Sequence, residues 1–86
     1  MEKNKKNILS VRIISLGEVI WEGQAVSISA VNTTGPFDIL PQHANFISIL
    51  IDNPITLKTE TETKKFKFSR SLLYAKDNSI KIYAEI

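Results

Sequence analysis

Short segments in which apolar and polar residues alternate are the feature that most restricts what this 86-residue chain can fold into. Near the N-terminus, Leu9, Val11 and Ile13 alternate with Ser10 and Arg12, which is the period of a half-buried β-strand. Similar segments recur along the chain, and clusters rich in Gly, Pro, Asn and Asp separate them about every 8–12 residues. No apolar pattern of helical period continues beyond about two turns. The sequence therefore predicts an all-β fold, a sandwich or barrel of about eight to ten short strands.

Turn residues place the predicted strands and the domain boundary. The charged, polar segment 1–7 is predicted to be a disordered tail, so that the folded domain occupies 8–86. Gly23 is expected to break the second strand. The segment 43–50 fits a strand or a helical turn, and the alternation of its apolar residues favours the strand. We expect strands at 8–14, 19–22, 25–32, 37–40, 43–50, 55–60, 65–69, 72–75 and 79–84.

The charge of the chain is concentrated in its first residues. Glu2 against Lys3, Lys5 and Lys6 gives +2, which leaves eight acidic and eight basic residues in the rest of the chain. The predicted domain is therefore neutral overall, whereas a nucleic-acid-binding domain carries a basic patch of its own. The chain has no cysteine, and its longest apolar run is far shorter than the roughly 20 residues that cross a bilayer. We expect a soluble, intracellular protein without disulfides.

The sequence gives little support to catalysis or to a cofactor. It contains one histidine and no cysteine, and no serine lies in a nucleophile elbow. A zinc site needs several clustered ligands, and His43 has no second histidine or cysteine to join it. The three glycines do not have the spacing of a phosphate-binding loop. We therefore expect no enzyme activity, no metal and no cofactor, and we interpret the chain as an interaction module.

The segment 35–50, GPFDILPQHANFISIL, is the richest in residues with special conformational or chemical properties. Gly35 can adopt a positive φ, and Pro41 fixes a second corner. His43 follows that corner, and three readings of it remain open: an imidazole that ties the corner to the backbone, an interface residue, or a catalytic or ligand role. Phe37, Ile39 and Leu40 form a short apolar run, and we expect two or more of them to lie in the core. Alternation prevents all three from pointing inward, so an apolar residue left outside would contact a partner.

These residues also carry a resemblance to a known family. The segment resembles the epsilon subunit of F-type ATP synthases, whose pattern G-x-x-x-I-L-P-x-H-A stands here as Gly35, Ile39, Leu40, Pro41, His43 and Ala44. Segment 69–86 is similar to the last two strands of that subunit. Upstream, the residues that match its first hairpin and the strand after it are Val11, Ile13, Gly17, Val19, Gly23, Ala25 and Val26.

The resemblance implies a flattened antiparallel β-sandwich that serves as a non-catalytic subunit of the rotor, in the central stalk. Such a subunit binds the gamma subunit and the polar loops of the membrane ring. It couples proton- or sodium-driven rotation of the ring to ATP synthesis, at the cytoplasmic face of the bacterial inner membrane. The turn near 15–17 would add to the contact. The interface positions that the resemblance implies are Gly35, Pro36, Phe37, Asp38, Ile39, Leu40, Pro41, Gln42, His43 and Ala44.

The chain departs from the family pattern in three places. The family often has an acidic residue directly after the loop glycine, where this chain has Pro36, and Asp38 comes two residues later. Arg70 and Ser71 replace a common pair of glycines. Full-length members usually continue into a helical hairpin that can inhibit the enzyme, whereas this sequence ends at Ile86. If the natural protein is equally short, we expect no inhibition through such a hairpin.

Two other functions compete with the rotor subunit. One is a β-sandwich adaptor unrelated to ATP synthase. The other is a single-stranded nucleic-acid binder, because Phe66 and Phe68 are interleaved with Lys65 and Lys67. That alternation predicts that the phenylalanines and the lysines lie on opposite faces, which favours a core strand. If the segment 35–44 is the interface, replacing Phe37 or Ile39 by Asp should weaken partner binding more than replacing Lys58 or Lys65.

Overall fold

The computed structural model describes residues 8–42 and 45–86. The predicted tail and two of the proposed interface positions, His43 and Ala44, lie outside the described residues. The described part contains no helix, and so none long and apolar enough to cross a membrane. The prediction of an all-β fold is confirmed. The strands are β1 (Leu9–Ser15), β2 (Glu18–Ala25), β3 (Ser27–Asn32), β4 (Gly35–Ile39), β5 (Phe46–Ile51), β6 (Pro54–Lys58), β7 (Thr63–Lys67), β8 (Arg70–Lys76) and β9 (Ser79–Ala84).

The strands form two sheets that pack face to face as a sandwich. The five-stranded sheet has the order β2-β1-β9-β8-β5, and the four-stranded sheet has the order β4-β3-β6-β7. Neighbouring strands are antiparallel except for β1 and β9, which pair in parallel and bring the two ends of the domain together. The core between the sheets consists of aliphatic and alanine side chains, among them Ile13, Ile28, Leu57 and Ile82.

Because successive strands run in opposite directions, the turns collect at two ends of the sandwich. The Leu16 end carries the β1–β2, β3–β4 and β5–β6 turns, the β7–β8 connection and Ile86. The Gln42 end carries the β2–β3 corner, the β4–β5 connection, and the β6–β7 and β8–β9 turns. These two ends and the outer faces of the sheets are the surfaces on which a partner can bind.

The chain crosses from one sheet to the other at Val26, where the sequence predicted one continuous strand. Ala25 ends β2 and Ser27 begins β3. The Val26 N–H donates a hydrogen bond to the Lys58 carbonyl oxygen at 2.7 Å, which fixes the corner. The prediction was wrong because apolar residues continue to alternate across the corner, so the pattern contains no signal for the change of sheet.

Gly23 was predicted to break the second strand, and this prediction is wrong. It lies inside β2, paired with Val11. The indole of Trp21 lies above it: a Cβ built on Gly23 would lie 2.8 Å from Cη2 of Trp21. Trp21 in turn packs against Phe66, with ring centroids 6.0 Å apart. The glycine is therefore explained by close packing of an aromatic side chain on the backbone, as found for glycines in strand interiors.

This close approach predicts that Gly23→Ala destabilises the domain. The added methyl group must displace an indole that is held by Phe66 and by the core, and such overpacking costs about 1–3 kcal/mol. Urea denaturation followed by the fluorescence of the single tryptophan measures the free energy of unfolding. Gln24→Ala, an exposed neighbour in the same strand, is the control. Equal stability of the two variants would contradict the proposed packing.

Candidate functional site

The first half of the predicted interface is a strand, which begins two residues earlier than the sequence predicted. Gly35–Ile39 forms β4, at the edge of the four-stranded sheet, where it pairs with β3. Gly35 has φ of 124°, a value that favours glycine. Pro36 follows it and is exposed, and an edge strand tolerates a residue that lacks an N–H. Asp38 is exposed as well, and its carboxylate accepts a 2.6 Å hydrogen bond from the Ser29 hydroxyl. The carboxylate thus has a fixed position on the outer face.

The second half of the predicted interface is a corner at the opposite end of the molecule. Gln42 adopts φ of 67°, and its N–H donates a 2.6 Å hydrogen bond to Oδ1 of Asn78 in the β8–β9 turn. Oδ1 of Asn45 accepts a hydrogen bond from the Asp77 N–H at 3.3 Å. Two side-chain amides therefore tie this corner to the neighbouring turn. Leu40 remains 49% exposed on it.

The structure consequently divides the stretch 35–44 between two ends of the sandwich. Its accessible described side chains include those of Pro36, Asp38, Leu40 and Gln42. Ile39 is only 5% exposed and belongs to the core, so its side chain cannot reach a partner on the surface of this domain. Replacing it by Asp would disturb the fold instead of testing an interface.

Phe37 is also unsuited to that test. Its ring packs against the core and lies 5.2 Å from the ring of Phe46, measured between centroids. The aromatic side chains Phe66 and Phe68 likewise pack against the core, whereas Lys65 and Lys67 are exposed. Phe66 and Phe68 therefore lie on the face opposite to Lys65 and Lys67, as predicted, and these four residues do not form a stacking platform for nucleotides.

A second candidate surface lies on the outer face of the five-stranded sheet. Ile14 pairs with Val19 on one side and with Tyr83 on the other. Tyr83 pairs with Leu72, and Leu72 pairs with Ile49. Ile14, Tyr83, Leu72 and Ile49 each follow or precede a buried residue, so their side chains project outward. Val19 pairs with Ile14 and is exposed as well. Together they form the transverse row, defined as Val19, Ile14, Tyr83, Leu72 and Ile49, which crosses every strand of the sheet.

The length of the transverse row and the polar residues beside it suit the binding of a helix. The row covers four strand spacings of about 4.8 Å each, or about 19 Å. A helix of about 13 residues has the same length. On one side lie Lys81 and the ion pair of Arg12 with Glu22, whose atoms Nη2 and Oε2 are 2.7 Å apart. On the other side lies the exposed Arg70. An apolar strip between polar flanks is the pattern to which the apolar face of an amphipathic helix binds.

Strand β5 extends this apolar surface to the edge of the sheet. Ile47, Ile49 and Ile51 are exposed on its outer face, and the six residues Phe46–Ile51 carry no charge. Uncharged apolar edge strands promote aggregation when they are left uncovered, and proteins usually protect them. The sequence itself indicates this surface, because the outer face of β5 is as apolar as its inner face.

The fold and these surfaces define a class: a small two-sheet β-sandwich with an apolar row across one outer face. Comparison with known proteins is more specific. Residues 8–86 match the model of the ATP synthase delta/epsilon chain beta-sandwich domain, so the chain belongs to the ATP synthase epsilon family. The resemblance inferred from the motif around Pro41 is thereby confirmed.

Relatives and solved structures agree with this assignment. The chain is 27% identical over 79 residues to the ATP synthase epsilon chain of Streptomyces avermitilis, covering 91% of this chain and 64% of that relative. It is 28% identical over 79 residues to the epsilon chain of Leptospira interrogans, with 92% and 62% covered. The chain thus spans less than two thirds of the length of these relatives.

Two solved structures share the fold. One is a mitochondrial ATP synthase of Euglena gracilis that includes the c-ring, with a TM-score of 0.84 and 14% identity, covering 98% of this chain and 54% of that one. The other is the central stalk and c-ring of the Tetrahymena thermophila mitochondrial ATP synthase, with a TM-score of 0.76 and 15% identity, covering 100% and 67%.

Proposed function

We propose that the chain is a non-catalytic rotor subunit of a bacterial F-type ATP synthase. In this role it binds the gamma subunit and the membrane ring at the cytoplasmic face of the inner membrane, and it couples ion-driven rotation of the ring to ATP synthesis. Membership of the epsilon family supports the assignment. The observation on which the binding role rests is the transverse row, an apolar strip on the outer face of a domain that already has a complete core.

The chemistry of the two candidate surfaces indicates which partner each one binds. Polar ring loops match a surface of fixed polar groups, such as Asp38 held by Ser29 on β4. Against an apolar row, such loops would lose their hydrogen bonds to water without replacing them, whereas burial of the row against another apolar surface contributes about 25 cal/mol per Å². We therefore assign the transverse row to gamma, and Pro36 with Asp38 to the ring.

The sandwich suits a subunit that transmits torque, because it deforms little under load. The two sheets share one close-packed core, and packed interiors have low compressibility. The parallel pair β1–β9 joins the first and last strands into the same sheet. A force applied at one end of the domain would therefore reach the other end without unfolding a local segment.

Co-expression of this chain with the gamma subunit of the same organism tests the proposal. We expect a stoichiometric complex on size-exclusion chromatography, with a submicromolar dissociation constant by calorimetry. Because the proposed contact is apolar, its affinity should change little between 50 and 500 mM salt, roughly a threefold range of Debye length. The absence of a complex at micromolar concentrations, or an affinity that falls steeply with salt, would contradict the assignment of the row.

A further inference from the structure

Two hairpin turns in the five-stranded sheet share a geometry but differ in how well their residues suit it. Leu16 and Gly17 connect Ser15 to its partner Glu18, with φ of 52° and 81°. Asp77 and Asn78 connect β8 to β9 with φ of 52° and 64°. Two-residue turns with positive φ at both positions favour Asn, Asp and Gly. Asp77 and Asn78 satisfy this preference, whereas a branched leucine at the first position opposes it.

The packing of the domain does not explain the leucine. The side chain of Leu16 is 91% exposed, more than that of any other large hydrophobic residue that the structure describes. The described residues therefore provide almost no contact area to offset its left-handed backbone conformation. Leucine here opposes the conformation of the turn and also exposes apolar surface to water. Residues that break local rules in this way are expected at functional sites.

The surroundings of Leu16 are apolar. Val19 and Ile20 are exposed on β2 beside the turn, where the register shifts between Ile13 and Ile14 and leaves Ile20 without a paired residue. The remaining exposed apolar residues of this end are Ile51 and Ile86. Five of the eight exposed large hydrophobic side chains in residues 8–42 and 45–86 thus lie at the Leu16 end.

We infer that Leu16 is the anchor residue of the contact with gamma, inserted into an apolar pocket of that subunit. The inference rests on the proposed function and names the residue that dominates the affinity at this end. Val19 belongs both to the surroundings of Leu16 and to the transverse row, so the anchor is continuous with the surface already assigned to gamma. The ring, with its polar loops, would not accommodate a leucine.

The tight turn makes Leu16 effective in this role. The flanking strands β1 and β2 are paired from Leu9 with Ala25 up to Ser15 with Glu18, and only Ile20 lacks a paired residue. The backbone that carries the side chain is therefore in place before binding, and an interface loses less entropy when the backbone of an anchoring residue is already ordered. A few residues, buried in well-packed pockets of the partner, usually account for most of the affinity of an interface.

The variant Leu16→Asn tests separately the strain that leucine causes in the turn and its contact with gamma. Asparagine fits the turn, so the variant should melt about 4–8 °C higher than wild type, the shift expected when a domain of this size is relieved of one strained residue. Its affinity for gamma should fall roughly 10- to 100-fold, as expected from the loss of one buried leucine side chain. Scanning calorimetry measures the first effect and titration calorimetry with gamma the second.

Matched variants define the alternatives. Leu16→Met keeps an apolar side chain and should bind gamma within threefold of wild type. Asp77→Leu places leucine in the other turn and should lower the melting temperature.

If Leu16→Asn binds gamma as tightly as wild type, Leu16 is not the anchor, although the proposed function stands. Lost binding together with a lowered melting temperature would also overturn the inference, because it would indicate a structural role. If wild type itself does not bind gamma, the proposed function fails and this inference with it.

Discussion

Ile39→Asp should unfold the domain, whereas Leu40→Asp, one residue further along, should leave it folded. Ile39 is 5% exposed and pairs with Ile28 in the core, while Leu40 is 49% exposed. A carboxylate in the interior without a partner costs several kcal/mol. The whole stability of a domain of this size is about 4–13 kcal/mol. The loss is therefore comparable to the total. At Leu40 the carboxylate stays in water, and the expected change is below about 1 kcal/mol.

Circular dichroism and urea denaturation of the two variants measure this difference directly. The pair is well matched, because the same side chain is introduced at adjacent positions of one segment. A cooperative transition of Ile39→Asp close to that of wild type would show that β4 is not part of the core. Partner-binding experiments on the segment 35–44 should accordingly use Leu40→Asp, since a loss of binding in Ile39→Asp would report unfolding.

Strand periodicity alone located nearly all of the strands, and the errors have physical causes. The alternation in 79–84 and in 55–57 predicted β9 and the inner face of β6, whose residues Ile80, Ile82, Ile55 and Leu57 are buried. Periodicity failed at Gly23, where a glycine usually signals a turn but here accommodates an indole. It failed also at Val26, where the chain changes sheets without interrupting the pattern.

The candidate surfaces could be predicted only in part. The motif around Pro41 identified the family, but it could not show which other turns lie beside Gly35 and which beside Gln42, because that depends on how the strands pair. The transverse row depends on pairing between strands that are far apart in the sequence. Ile14 and Tyr83 become neighbours through a parallel pairing of the first and last strands, which no local pattern encodes.

Leu72→Asp should reduce the affinity for gamma more than 100-fold and change the free energy of unfolding by less than about 1.5 kcal/mol. Leu72 is in the middle of the transverse row, between Tyr83 and Ile49, with its side chain on the outer face of β8. In the free domain a carboxylate at this position remains accessible to water. In the complex it would be surrounded by apolar groups of both proteins, and its desolvation would oppose binding.

Thr63→Asp is the matched control for this experiment. It adds the same side chain and the same charge at an exposed position of β7, on the four-stranded sheet. Titration calorimetry with gamma should give wild-type affinity for this variant. If one added negative charge acted by a general electrostatic effect, both variants would bind gamma equally weakly. That result would exclude the transverse row as the binding site for gamma. Selective loss in Leu72→Asp can arise only if the partner covers the outer face of the five-stranded sheet, since the core beneath Leu72 is unchanged in the folded variant.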